Sequence, residues 1–254
     1  MVAPAIAEDR LSLSGEMRVR GWYKDTDYDG DDDDSTQTWA DQRLRVGGKI
    51  AVAEGVSITF RTDITESDWG TTGGGNGFGS GRSGAAQQWD RAHIDLTKDN
   101  FHVRAGQQYV AYGKTYAIDS QDNGVSADYD FGAAKVNAFV LLDNCNESNC
   151  KAGDQADAFL YGAKVGSKMG DIASNLFGGG FNDGADEDVQ LIGADMTATF
   201  AGIKLIGELD YFTGDASDDD DAYGTQFMLD ASMAFTPAIT VGGQFFYGLG
   251  DDED

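Results

Sequence analysis

The feature that most restricts this chain is an alternation of apolar and polar residues with a period of two, which recurs in one segment of about ten residues after another. From Leu11 onward, Leu11, Leu13, Met17 and Val19 fall on one side, and Ser12, Ser14, Glu16, Arg18 and Arg20 on the other. Leu44, Val46, Ile50 and Val52 alternate with Arg43, Arg45 and Lys49, and Val56, Ile58, Phe60 and Ile64 with Arg61, Asp63 and Thr65. The same holds for Ala92, Ile94 and Leu96 against Arg91, His93 and Asp95, and for Phe101, Val103 and Ala105 against His102, Arg104 and Gly106. A pleated strand sends successive side chains to opposite faces, so each segment is expected to be a strand with one oily and one wet side. No helical apolar stripe competes with this pattern, and there are only 2 prolines.

The connections sort themselves as regularly as the strands. KDTDYDGDDDDSTQT, WGTTGGGNGFGSGRSGAAQQ, DNCNESNCKAGDQAD, NDGADED and GDASDDDD are long and polar, and they alternate with short links at AVAEGV, TKDN, GAA, KMGD, AG and Thr236-Pro237. Thirteen segments joined in this way describe an antiparallel meander with two unlike ends. No apolar run approaches the ~18 residues a spanning helix needs. With 35 glycines, 14 Phe, 10 Tyr and 4 Trp, the pattern instead matches an all-β, antiparallel transmembrane β-barrel whose apolar faces meet lipid. Aromatics near the segment ends (Trp22, Tyr23, Trp69, Tyr211, Phe212, Phe235 and Tyr247) suit an interfacial girdle, although aromatics also cap strands in soluble proteins.

The net charge of −26 is concentrated in the polar connections, which argues against nucleic acid and for cations as partners. Asp25, Asp27, Asp29 and Gly30 read DxDxDG, the opening of a calcium loop, but Thr36 stands where a bidentate Glu would close it. Either an ordered Ca2+ site or loosely held divalent ions bridging lipopolysaccharide fits that half motif. Cys145 and Cys150 are the only cysteines; in an exported chain they favour a small disulfide ring, with free thiols or a metal pair as alternatives. MVAPAIA, residues 1–7, reads as the end of a signal peptide, leaving 8–254 as the barrel. His93 and His102 are the only histidines, and no nucleophile set surrounds them, so no enzyme and no required cofactor are expected.

SLSGEMRVRGWY near the start, AGQQY followed by a long segment, and the order of long and short connections together resemble the Gram-negative general porins. That resemblance implies a sixteen-stranded barrel, a homotrimer in the outer membrane in contact with lipid and lipopolysaccharide, and a water-filled channel for passive diffusion of small hydrophilic solutes and ions. It also implies that the loop after the fifth strand, 111–123, folds inward and narrows the lumen. The wet faces would then line the channel with Arg18, Arg20, Arg43, Arg45, Lys49, Arg61, Arg91 and Arg104. Asp119, Asp122, Asp128 and Asp130 would supply acid at the constriction. The chain ends at Asp254 without a terminal aromatic and with an odd strand count. Because an unclosed barrel leaves edges unpaired in lipid, either about three further strands are expected beyond it or the strand count is off by one. A secreted calcium-binding Gly/Asp-rich β adhesin is the competing reading, but it would need short GGxGxDx repeats, and none recur.

Overall fold

The computed structural model describes residues 10–26, 35–69, 88–114, 117–145, 157–182, 188–217, 220–221 and 223–250. The strands are β1 (Leu11–Thr26), β2 (Ser35–Ala53), β3 (Val56–Asp68), β4 (Gln88–Lys98), β5 (Phe101–Tyr112), β6 (Ile118–Asp130), β7 (Ala134–Cys145), β8 (Asp157–Met169), β9 (Ile172–Asn182), β10 (Asp188–Phe200), β11 (Ile203–Ser217), the two-residue β12 (Asp220–Asp221), β13 (Gly224–Thr236) and β14 (Ile239–Gly250). Strand order is sequence order, every mapped pairing is antiparallel, and β12 is a spur on β11. Among the described residues there is no helix. The chain divides into two compact units, residues 1–94 and 95–254.

In the first unit, β1 and β2 pair without a slip from Leu11↔Ile50 to Thr26↔Ser35. β2 and β3 slip twice, beside Leu44, where Ile64 is the extra residue, and beside Ala51, where Val52 is. β4 changes phase near its start: Trp89 is exposed, Asp90 buried and Ala92 exposed again. Asp90 thereby joins the polar face, against the simple alternation.

In the second unit the short links are tight turns closed by residues with positive φ, such as Gly132 (85°) and the pair Ala201 (50°) and Gly202 (82°). One hairpin departs from the meander. β6 pairs with β5 along its whole length up to Tyr112↔Ile118, but with β7 only from Asn123↔Leu142 onward. Beyond that point β6 has parted from β7 while remaining paired with β5. Gly124 sits at the departure, where any side chain would run into the Val140 carbonyl and the backbone of Leu141. The expected inward loop 111–123 is thus corrected: all but 113–117 is strand, and what leaves the wall is a hairpin end. DSQDN lacks apolar residues because neither of its faces is set against lipid.

Burial is inverted relative to a water-soluble domain. Leu13 is 67% exposed, Leu176 58% and Phe200 76%, whereas Asp41, Asp95, Asp195, Glu208 and Asp210 are buried. Leaving one large apolar side chain in water forgoes roughly 1.5–3 kcal/mol, so a face made of many such residues calls for an apolar surround. Among the described residues, a dry cluster lies under the hairpin end. Val110, Tyr112 and Ile118 pack with Phe139, Leu141 and Phe177, flanked by Ala117, Leu160 and Leu191. The Tyr112 ring meets Phe139 edge-on at 5.1 Å and Phe177 at 6.0 Å.

Candidate functional site

The polar face of the first unit is a ladder of ion pairs. Register puts Arg18 directly opposite Arg43, a repulsive juxtaposition on its own. Glu66 relieves it by accepting from Arg18 Nη2 at 3.1 Å, and Glu16 by accepting from Arg43 Nη2 at 2.8 Å. Arg20 donates to both oxygens of Asp41, Nη2 at 2.7 Å, and Arg45 Nε donates to Asp63 at 2.6 Å. Arg61 donates to Asp90. Arg91 is half-buried on β4, and Lys49 is exposed near the β2–β3 turn. Partners across and along the strands therefore balance most of the arginine row locally. Alternation assigns the face, but only register reveals the carboxylates.

Trp22 follows Arg20 on this face and is not part of an outward girdle. Its Nε1 donates to Asp41 at 2.6 Å, its ring stacks on Trp39 at 5.8 Å, and the Arg20 guanidinium lies 4.6 Å above it. Phe212 likewise lines a recess beside Ile118.

In the second unit Arg104 Nε donates to Asp95 at 3.0 Å. His102 bridges two carboxylates, with Nε2 at 2.9 Å from Asp95 and Nδ1 at 3.1 Å from Asp128. Asn137 Nδ2 donates to Asp128 at 2.8 Å. The four acids expected at the constriction occupy three places. Asp119 and Asp122 are on the hairpin end, where Ser120 donates to Asp122. Asp128 belongs to the wall, and Asp130 to the short β6–β7 turn, where it pairs with Lys135 at 3.1 Å and accepts from the Gly132 amide at 2.7 Å.

Sequence reasoning missed what holds the hairpin end. Lys114 Nζ reaches Asp195 on β10 at 2.6 Å, and the Lys114 amide donates to Glu208 on β11 at 2.5 Å. Asp210 lies beside Glu208 on the same face and accepts from Gln226 Nε2 at 2.9 Å. Gly113 precedes Lys114 at φ 75°, and a side chain there would collide with the Glu208 carboxylate. Lys164 Nζ lies 4.5 Å over the Tyr112 ring, and the Tyr112 hydroxyl donates to Asn137 Oδ1 at 2.5 Å. A signal was available in the sequence: Phe139, Leu141, Leu160, Phe177 and Leu191 are apolar residues on the wet phase of their strands, which needs a covering element. Asp27, Asp29 and Cys150 lie outside the described residues, as do residues 1–7 and the side chains of Asp25 and Cys145.

This arrangement can orient and admit charged or dipolar solutes along a polar face. The comparisons agree with it. The family model for Gram-negative porins matches residues 1–254. Among solved structures, the fold is similar to an anion-selective porin from Comamonas acidovorans, at 17% identity and a TM-score of 0.58, covering 94% of this chain and 79% of that one. It is also similar to a substituted variant of the Rh. blastica porin, at 14% identity and a TM-score of 0.52, covering 94% of each chain. Among curated proteins none matches. With its acidic residues buried on one face and its large apolar residues exposed on the other, the chain belongs to the Gram-negative porin family, the β-barrel channels of the outer membrane.

Proposed function

We propose that small hydrophilic solutes and ions diffuse passively along the polar faces of this chain, and that the hairpin end from Tyr112 to Ile118 narrows their path. The observation that carries the reading is the departure of that hairpin from β7 and its docking onto β10 and β11 through Lys114. The basic residues Arg18, Arg20, Arg43, Arg45, Lys49, Arg61, Arg91 and Arg104 line the route, with Asp119 and Asp122 on the hairpin. Six of these arginines are neutralised by neighbouring carboxylates, so the wall presents alternating charge, which favours dipolar and zwitterionic solutes over simple exclusion by sign. Liposome swelling with sugars of increasing size tests this reading: swelling that falls off with solute mass supports it, and absence of swelling with the smallest sugar rejects it.

Homotrimer formation follows from the family resemblance, and migration at three times the monomer mass in unheated gels tests it. Ca2+ at the Asp25, Asp27 and Asp29 connection and a Cys145–Cys150 disulfide belong to the same proposal. Calcium titration of a variant lacking Asp27 and Asp29 and alkylation of the unreduced protein check them separately.

A further inference from the structure

The polar face of β7, β8 and β9 carries a recess that the narrowing does not use. It encloses about 330 Å3 and is lined by Lys135, Asn137, Lys164, Ser167, Lys168 and Asn175. Its floor is Gly166, which pairs with Lys135 on β7 and with Asn175 on β9. Lys164 and Lys168 stand two residues to either side of Gly166 on the same phase of β8. Three lysines therefore line the recess, and the Asn175 side-chain oxygen lies over Gly166.

The ladder arginines and Lys114 each face a carboxylate, and Lys135 is tied to Asp130 at 3.1 Å. Among the described residues, by contrast, Lys164 and Lys168 have no carboxylate within ion-pairing distance. Asp128, which also lines the recess, is engaged by His102 and Asn137, and Asp195 by Lys114 and Asn175. The neutral donors are also committed: Asn137 to Asp128, Asn175 to Asp195, and Ser167 to the Ala133 carbonyl. Lys164 has a weak contact with the Ala111 carbonyl at 3.4 Å and lies over the Tyr112 ring, neither of which neutralises its charge. What remains without a carboxylate partner is the ammonium groups of Lys164 and Lys168, which line the same recess.

We propose that this recess binds a small oxyanion with at least two charged oxygens, a phosphate or a dicarboxylate, held by Lys164 and Lys168. It would serve as a stopping place for anions along an otherwise strongly acidic protein. The proposal rests on the channel reading, but its test separates the two.

Lys164 also braces the hairpin, so the test uses Lys168→Gln and Gly166→Leu, whose side chain meets the Asn175 side chain and crowds the recess while keeping every charge. Single-channel current in symmetric KCl is recorded while inorganic phosphate or succinate is added. The wild type is expected to show saturable block by one or both, with the more potent identifying the class. Lys168→Gln and Gly166→Leu each weaken the block about tenfold, the loss expected for one charge-assisted contact. Lys204→Gln, which removes one exposed charge elsewhere, leaves it unchanged. Absence of saturable block, or equal weakening by Lys204→Gln, overturns the proposal while leaving the channel intact. If no KCl current appears at all, the channel reading fails. Phosphorus NMR line broadening by the detergent-solubilised protein then decides the recess alone: broadening reduced by Lys168→Gln supports it, and identical spectra overturn it.

Discussion

Arg45 and Asp63 show what single residues do on the polar face. Their Nε–Oδ1 contact of 2.6 Å joins two half-buried side chains beside water, where such pairs contribute roughly 0–1 kcal/mol to stability. Asp63→Asn is therefore expected to leave folding nearly unchanged while exposing an uncompensated guanidinium to the channel. The reversal potential under a KCl gradient should shift toward anions for Asp63→Asn and toward cations for Arg45→Gln, with the double variant near the wild type. Gly113 behaves differently, because its φ of 75° and the adjacent Glu208 carboxylate both oppose a side chain. Gly113→Ala is expected to cost about 1–3 kcal/mol of local strain, relieved by releasing the hairpin end. Faster proteolysis near Lys114 in Gly113→Ala than in a Gly170→Ala control turn would register that release. At this scale the arginines were legible in the sequence, because alternation fixes a residue's face. Their partners were not, because facing carboxylates depend on register, and Asp90 entered the ladder only through a phase change in β4.

The hairpin of β5 and β6 is the element that distinguishes this meander from a plain ribbon of strands. Its end is held by a dry cluster around Tyr112 and Ile118 and by the grip of Lys114 on β10 and β11. Removing a large aromatic ring from such a cluster typically costs about 3–5 kcal/mol, more than the surface pair contributes. Tyr112→Ala is therefore expected to free the end more completely than Lys114→Met. Single-channel recordings should show larger mean conductance and more frequent fluctuations in Tyr112→Ala, and intermediate behaviour in Lys114→Met; the reverse order would mean that the ion pair, not the packing, is the main hold. Strand positions were readable wherever one face meets an apolar surround and the other meets water. The 111–123 segment broke that rule, since its hairpin end covers protein on one side, and so it read as loop. Phe139, Leu141 and Phe177, misplaced on the wet phase, are the residues from which its docking surface could have been inferred.

Across the whole molecule the inversion of burial governs everything else. Buried Asp195, Glu208 and Asp210 and exposed Leu13, Leu176 and Phe200 are intolerable together in water, and they become compatible when lipid takes the apolar side. The alternation of long acidic connections with tight turns made this architecture legible from residues alone, whereas the internal hairpin required knowledge of which strands lie side by side. Spin labels placed singly along β8 and β9 test the central claim most directly, by comparing collision with oxygen, which concentrates in lipid, and with a water-soluble nickel chelate. Labels at Val165 and Leu176 should be relaxed mainly by oxygen and labels at Gly166 and Asn175 mainly by nickel, switching with every residue. Equal access of nickel to both sets, or oxygen preference at Asn175, would contradict the account.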